Sequence, residues 1–198
     1  MTFYWVLVLL GCYLVGSIPV GYLAGKARGV DVRRHGSGNI GMTNVARVLG
    51  TLPGLLVLAG DVLKGVGAVW LARSFGGTPL ALLGGLAVIA GHNWSVFLGG
   101  RGGRGVATSA GVLLALSPWV ALSSVAVWVV GVLTTRYVSV GSILAGISAP
   151  LFMLLYRQPA AYFFFALAIA ALVVYQHRPN IRRLRQGVEF KIGQRRET

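Results

Sequence analysis

The chain alternates between long apolar runs and short polar stations. The apolar runs cover residues 3–24, 48–72, 80–98, 106–133, 138–156 and 160–175. Most are close to the ~20 residues that carry an α-helix across a bilayer core. This pattern predicts an all-α, polytopic membrane bundle. The first run has no Lys or Arg before it and is long enough to span, so it reads as a retained first helix rather than a cleaved signal. The run 106–133 is the longest and carries Ser117-Pro118 near its middle, where proline breaks the helical ladder. Two shorter helices meeting there are expected.

Charge fixes the orientation. Lys26, Arg28, Arg33, Arg34, Arg47 and the basic residues from Arg178 to Arg196 flank apolar runs, and the positive-inside rule puts all of them in the cytoplasm. A cytoplasmic first loop and a cytoplasmic tail require an odd number of crossings. Seven transmembrane helices result, with the N-terminus outside and the C-terminus cytoplasmic. A five-span version, in which the 106–133 hairpin is re-entrant, has the same parity. In the seven-helix reading only Arg73 and Arg157 lie outside, and Lys64 lies within a helix, out of 18 basic residues.

Composition agrees with this class. Of 198 residues, 56% are hydrophobic and 11% charged, with a mean hydropathy of +0.75. Soluble domains carry roughly 25% charged residues. No linker divides the chain, so residues 1–198 read as a single domain. The net charge of +14 sits in short loops and the tail, as orientation and lipid headgroups require, and is not read as a nucleic-acid signature. The lone Cys12 excludes an intrachain disulfide.

The polar stations carry the candidate chemistry. The first is Gly36-Ser37-Gly38-Asn39-Ile40-Gly41-Met42-Thr43-Asn44-Val45-Ala46-Arg47. It spells G-x-G-x-x-G, but the preceding segment is a charged loop and Asp61 lies in an apolar run, so a dinucleotide site is rejected. It reads instead as a glycine-rich anion nest, with Ser37, Thr43 and Asn44 supplying hydrogen bonds and Arg47 pairing with a phosphate. The alternative is a flexible loop with a headgroup-binding Arg. The second station, His92 to Thr108, contains Arg101-Gly102-Gly103-Arg104-Gly105-Val106-Ala107-Thr108, a basic loop opening a helix. Free amides and guanidinium groups there favour phosphate, or else anchor the loop at the cytoplasmic face. His92 alone is read as a structural partner. The third station ends the last apolar run with Tyr175-Gln176-His177-Arg178-Pro179-Asn180-Ile181, either a functional pair or a capped helix end. Asp61 and Lys64, three apart, are expected to form an intramembrane ion pair.

The acid inventory narrows the reaction. Only Asp31, Asp61, Glu189 and Glu197 are carboxylates, and none lies within a station's sequence. With 3 His and 1 Cys, the ligand set for a metal is poor, and neither metal nor cofactor is expected. The stations bind phosphate and stabilise an oxyanion, which suits an electrophile that arrives already activated.

The three stations together resemble those of the bacterial acyl-phosphate-dependent glycerol-3-phosphate acyltransferases, the PlsY family. The likeness rests on G-S-G-N-I-G-M-T-N-V-A-R at 36–47, G-H-N-W-S-V-F at 91–97 with R-G-G-R-G-V-A-T at 101–108, and Y-Q-H-R-P-N-I at 175–181. It extends to Asp61-Val62-Leu63-Lys64-Gly65 and Arg136-Tyr137-Val138-Ser139. The resemblance implies a seven-helix inner-membrane fold and acyl transfer from acyl phosphate to the 1-hydroxyl of glycerol 3-phosphate, giving lysophosphatidic acid and inorganic phosphate.

By position, it implies that Ser37, Arg47, Arg104, Ser142, His177 and Asn180 are catalytic. Gly38, Asn39, Thr43, Asn44, Gly102 and Gly103 are expected to bind substrate. Arg101 and Arg104 stand where the family usually has Lys, and Pro179 where it commonly has Glu. The expected partners are the two substrates and membrane lipid, with a monomeric protein acting at the cytoplasmic face. A transporter for a phosphorylated metabolite is the main competing class; it predicts richer intramembrane gating groups and an inverted repeat, which is not evident. An acyl-CoA or carrier-protein acyltransferase commonly needs His-x4-Asp, but the positions so spaced from His35, His92 and His177 are Ile40, Phe97 and Arg182.

Overall fold

The computed structural model describes residues 2–192; Arg195, Arg196 and Glu197 of the basic tail lie outside the described residues. The described chain is helical: α1 (Thr2–Ser17), α2 (Val20–Lys26), α3 (Met42–Leu49), α4 (Thr51–Asn93), α5 (Val106–Leu116), α6 (Pro118–Thr135), α7 (Val138–Leu155), α8 (Ala160–Gln176) and α9 (Arg178–Arg185). Short 3-10 turns at Val32–Arg34 and Val96–Leu98 complete it. Four stretches are long and apolar enough to cross a membrane, or five if the bent pair α8–α9 is one span.

The second of those stretches is a hairpin. Gly76 and Gly77 leave helical geometry, Gly77 at φ +60°, a left-handed value that glycine adopts without steric cost. The two arms, 51–75 and 78–93, then run side by side. Lys64 Nζ lies 2.8 Å from His92 Nδ1 although 28 residues separate them, which a straight helix would set about 42 Å apart. The expected spans at 48–72 and 80–98 are therefore these two arms.

The chain divides into two compact units, residues 1–118 and 119–198. In the first, α1 packs on the second arm of α4 and α5 on the first arm, both through glycines. A Cβ on Gly16 would collide with the Val88 carbonyl, and one on Gly91 with that of Tyr13. Gly65 and Gly111 pair α4 with α5 in the same way, against Thr108 and Val62. Between membrane helices, where lipid is as apolar as Leu, such close backbone approach is what favours association. Pro19 interrupts the first span after Ser17, and the helix restarts at Val20. In the second unit α7 packs on α8, and Gly131 of α6 meets Gly141 of α7.

The break expected at Ser117-Pro118 is present, with Ser117 outside both helices. Its first half, α5, has 11 residues. That is about 16 Å of helix, roughly half the thickness of a bilayer core.

Candidate active site

The first polar station is a loop organised by one side chain. Asn44, 1% exposed on α3, donates its Nδ2 hydrogens to the carbonyls of Val32 (3.0 Å), His35 (3.1 Å) and Asn39 (2.9 Å). Its Oδ1 accepts from Ser37 N at 2.8 Å and from an Arg47 guanidinium nitrogen at 3.3 Å. That uses the whole carboxamide. Asn44, expected to bind substrate, shapes the loop and steadies Arg47. Within the expected anion nest, the Ser37 amide donates to Asn44 Oδ1 and the Gly38 amide to the His35 carbonyl at 3.1 Å. What the loop presents is side chains, namely the half-buried Ser37, Asn39 and Thr43 and the exposed Arg47.

Beneath it, Val32, Ile40, Val45 and Val57 form a buried apolar cluster with Val20, Tyr22 and Leu98 against it. Leu98 belongs to the second station, so burial of this cluster brings the two loops to one end of the unit. At the loop's outer edge Asp31 accepts from Arg33 N, Nε and Nη2. The Arg33 side-chain hydrogen bond holds the Asp31 carboxyl below the usual range. A depressed folded value means that this contact supports the turn at neutral pH and fades as pH falls through it. Asn44→Asp should cost roughly 3 kcal/mol or more, since a buried carboxylate would face three carbonyl oxygens. Thermal unfolding in detergent, compared with wild type, reads this directly.

The second station is strapped to the helix before it. Gly102 N donates to the Asn93 carbonyl at 3.1 Å and Gly103 N to the His92 carbonyl at 3.0 Å. Both amides thus hold the loop to the preceding helix, and the glycines allow it to pack closely. A Cβ on Gly103 would strike the His92 imidazole, and one on Gly102 the His92 carbonyl. His92 in turn belongs to a buried cluster. Lys64 Nζ reaches Asp61 Oδ1 (2.8 Å), His92 Nδ1 (2.8 Å) and the Ile18 carbonyl (3.2 Å), the last beside the Pro19 break. Asp61 Oδ1 lies 3.4 Å from His92 Nδ1. An ammonium only donates, so Nδ1 accepts from Lys64 and, in the neutral ring, Nε2 carries the hydrogen. The expected Asp61–Lys64 pair is present, and it supports the loop that carries Arg101 and Arg104.

In the second unit, Ser142 Oγ donates to the Val138 carbonyl (2.8 Å) and receives Trp128 Nε1 (3.2 Å). Its hydrogen is engaged, which leaves the oxygen as an acceptor. His177, 2% exposed, has Nδ1 2.7 Å from the Val173 carbonyl. A carbonyl accepts only, so Nδ1 holds the hydrogen and Nε2 the lone pair of the neutral ring. Asn180 donates Nδ2 to Glu189 Oε1 at 2.6 Å.

Comparison with known proteins identifies the family. The family model described as glycerol-3-phosphate acyltransferase matches residues 6–187. The chain belongs to this family. It is 50% identical over 192 residues to glycerol-3-phosphate acyltransferase 2 of Moorella thermoacetica, covering 96% of this chain and 99% of that one. It is 48% identical to the glycerol-3-phosphate acyltransferase of Desulforamulus reducens, with 96% of each covered. A crystal structure of PlsY, an integral membrane glycerol 3-phosphate acyltransferase, in its glycerol 3-phosphate form matches with a TM-score of 0.92 at 44% identity over 96% of both chains. The lysophosphatidic acid form of the same protein gives 0.90. The present acyltransferase is accordingly an integral membrane enzyme of phospholipid synthesis.

Two carboxylates from outside the stations' sequences contact them across the fold. Asp61 reaches His92 from the facing arm, and Glu189 reaches Asn180 from beyond a turn at Gly187 (φ +69°). No local signal marks either contact, because each is made by the fold rather than by sequence neighbours. Among the described residues, no group of three or more His, Cys, Asp or Glu is gathered that could hold a metal ion.

Proposed function

We propose that this acyltransferase moves an acyl group from acyl phosphate to the 1-hydroxyl of glycerol 3-phosphate. The hydroxyl oxygen attacks the acyl carbonyl carbon, the bond to the phosphate oxygen breaks, and lysophosphatidic acid and inorganic phosphate leave. One observation carries this reading: the 44%-identical PlsY has been crystallised with glycerol 3-phosphate and with lysophosphatidic acid, the acceptor and the product of such a step. An acyl phosphate is a mixed anhydride with a good leaving group, so no covalent enzyme intermediate is needed. Positioning and charge stabilisation supply the rate.

In this reading Arg47 and Arg104 hold phosphate, with Ser37, Asn39 and Thr43 adding hydrogen bonds and Gly38, Gly102 and Gly103 giving the loops their shape. Ser142, His177 and Asn180 address the hydroxyls. The proton leaves either to a phosphate oxygen of glycerol 3-phosphate or to His177 Nε2. The chain acts as one monomeric domain in the bacterial cytoplasmic membrane, with the N-terminus outside and the tail and site in the cytoplasm. Seven segments cross, the short α5 lying against α4, where non-helical backbone at membrane depth is covered by protein.

The test is phosphate release by purified protein in lipid, given palmitoyl phosphate with and without glycerol 3-phosphate. Acceptor-dependent release with lysophosphatidic acid formed, reduced at least about 100-fold in Arg47→Ala, is expected. Acceptor-independent release would mean an acyl phosphatase, and glycerol 3-phosphate crossing the bilayer without release a transporter. In the same assay, near-normal turnover by His177→Gln would assign the proton to the substrate phosphate.

A further inference from the structure

The two ends of the Asn180 carboxamide are treated differently by the fold. Nδ2 donates to Glu189 Oε1 at 2.6 Å, whereas Oδ1 is buried without a hydrogen-bond partner among the described residues. A carboxylate only accepts, so the amide cannot be turned over: Nδ2 must face Glu189 and Oδ1 must face away. The second carboxylate oxygen receives Arg183 Nε, also at 2.6 Å. Glu189 is 6% exposed.

The segment that delivers Glu189 is tied at both ends. Gly187 reverses the chain after α9, and Val188 N donates to the Arg183 carbonyl at 2.9 Å. Beyond Glu189, Ile192 N donates to the Arg136 carbonyl at 2.9 Å, and an Arg136 guanidinium nitrogen returns to the Ile192 carbonyl at 3.3 Å. Lys191 lies over the Tyr137 ring. Arg136 and Tyr137 lead directly into α7, which carries Ser142. The tail therefore ties the start of α7 to α9.

We propose that Glu189 is a positioning residue for acyl transfer: it locks the Asn180 carboxamide with Oδ1 presented as an acceptor for a hydroxyl of the polyol-phosphate substrate. The proposal rests on the acyltransferase reading above. A buried amide oxygen without a donor is costly, and a substrate hydroxyl supplies the missing hydrogen. Free rotation of the amide would present an N–H instead, which a hydroxyl proton cannot use.

The test is a set of steady-state measurements on purified full-length protein in lipid. Glu189→Ala should lower kcat by about tenfold or more, with KM for acyl phosphate nearly unchanged, and should lower the thermal midpoint as well, because Arg183 and the Asn180 amide lose their buried acceptor. Asn180→Asp sets two carboxylates against each other and should be at least as impaired. Combining it with Glu189→Gln restores a donor–acceptor pair: the introduced glutamine amide donates to the introduced carboxylate, whose second oxygen still faces outward. The double variant should exceed Asn180→Asp by about tenfold. Activity of Glu189→Ala within twofold of wild type, or a folded double variant no better than Asn180→Asp, overturns the role. If Glu189→Ala does not fold, the comparison of Asn180→Asp with the double variant decides. The wild-type rate tests the acyltransferase reading by itself, whereas ratios among variants test Glu189.

Discussion

Asp61→Ala should lower stability by about 3–5 kcal/mol, the cost of leaving one member of a buried ion pair without its counter-charge. Lys64 would keep the Ile18 carbonyl and His92 Nδ1, both neutral, but lose the carboxylate 2.8 Å away. The cluster lies where α1 breaks at Pro19 and where both arms of α4 meet, so its loss loosens three segments together. Thermal unfolding in detergent measures the loss. A double variant, Asp61→Leu with Lys64→Met, removes both charges and should recover most of it. If the double is as unstable as Asp61→Ala, the ion pair is not what holds the cluster together.

Gly102→Ala should reduce kcat/KM by about 100-fold, the scale on which an ångström of misplacement acts in catalysis. The added methyl collides with the His92 carbonyl, and Asn93 O lies at 2.7 Å from the same position. Both obstacles are backbone, so the loop must lift, carrying the neighbouring Arg101 and Arg104 with it. Gly103→Ala strikes the imidazole instead, and displacing that ring strains its 2.8 Å contact with Lys64. It should therefore lose stability as well as activity, whereas Gly102→Ala should lose mainly activity. Paired measurements of turnover and thermal midpoint separate the two. Near-normal turnover by Gly102→Ala would show that the strap to 92–93 does not set the position of the arginines.

Much of this protein is legible in its sequence because a membrane imposes a coarse code. Run length, hydropathy and the placement of basic residues predict helices at 138–156 and 160–175 within a residue, and the extent of the first span but not its break at Pro19, together with the break at Ser117. The stations stand out because polar residues are rare in such a chain, and the Asp61–Lys64 spacing marks a pair on one helical face. The two apolar runs at 48–72 and 80–98 mark the two arms of the hairpin, while the turn at Gly76 and Gly77 and the close packing of the arms come from the structure.

What the tertiary structure decided is how each polar group is used. Asn44 looks like a ligand by composition, yet its carboxamide is taken up by the loop it organises. The Gly102 and Gly103 amides look free beside two guanidinium groups, yet they close on carbonyls of the preceding helix. Glu189 has no motif around it and reaches Asn180 only because the chain reverses at Gly187. A sequence specifies which residues can donate or accept, through their chemistry. It does not reveal which donors are already satisfied, because hydrogen-bond partners are selected by distances of a few ångströms between segments far apart in the chain.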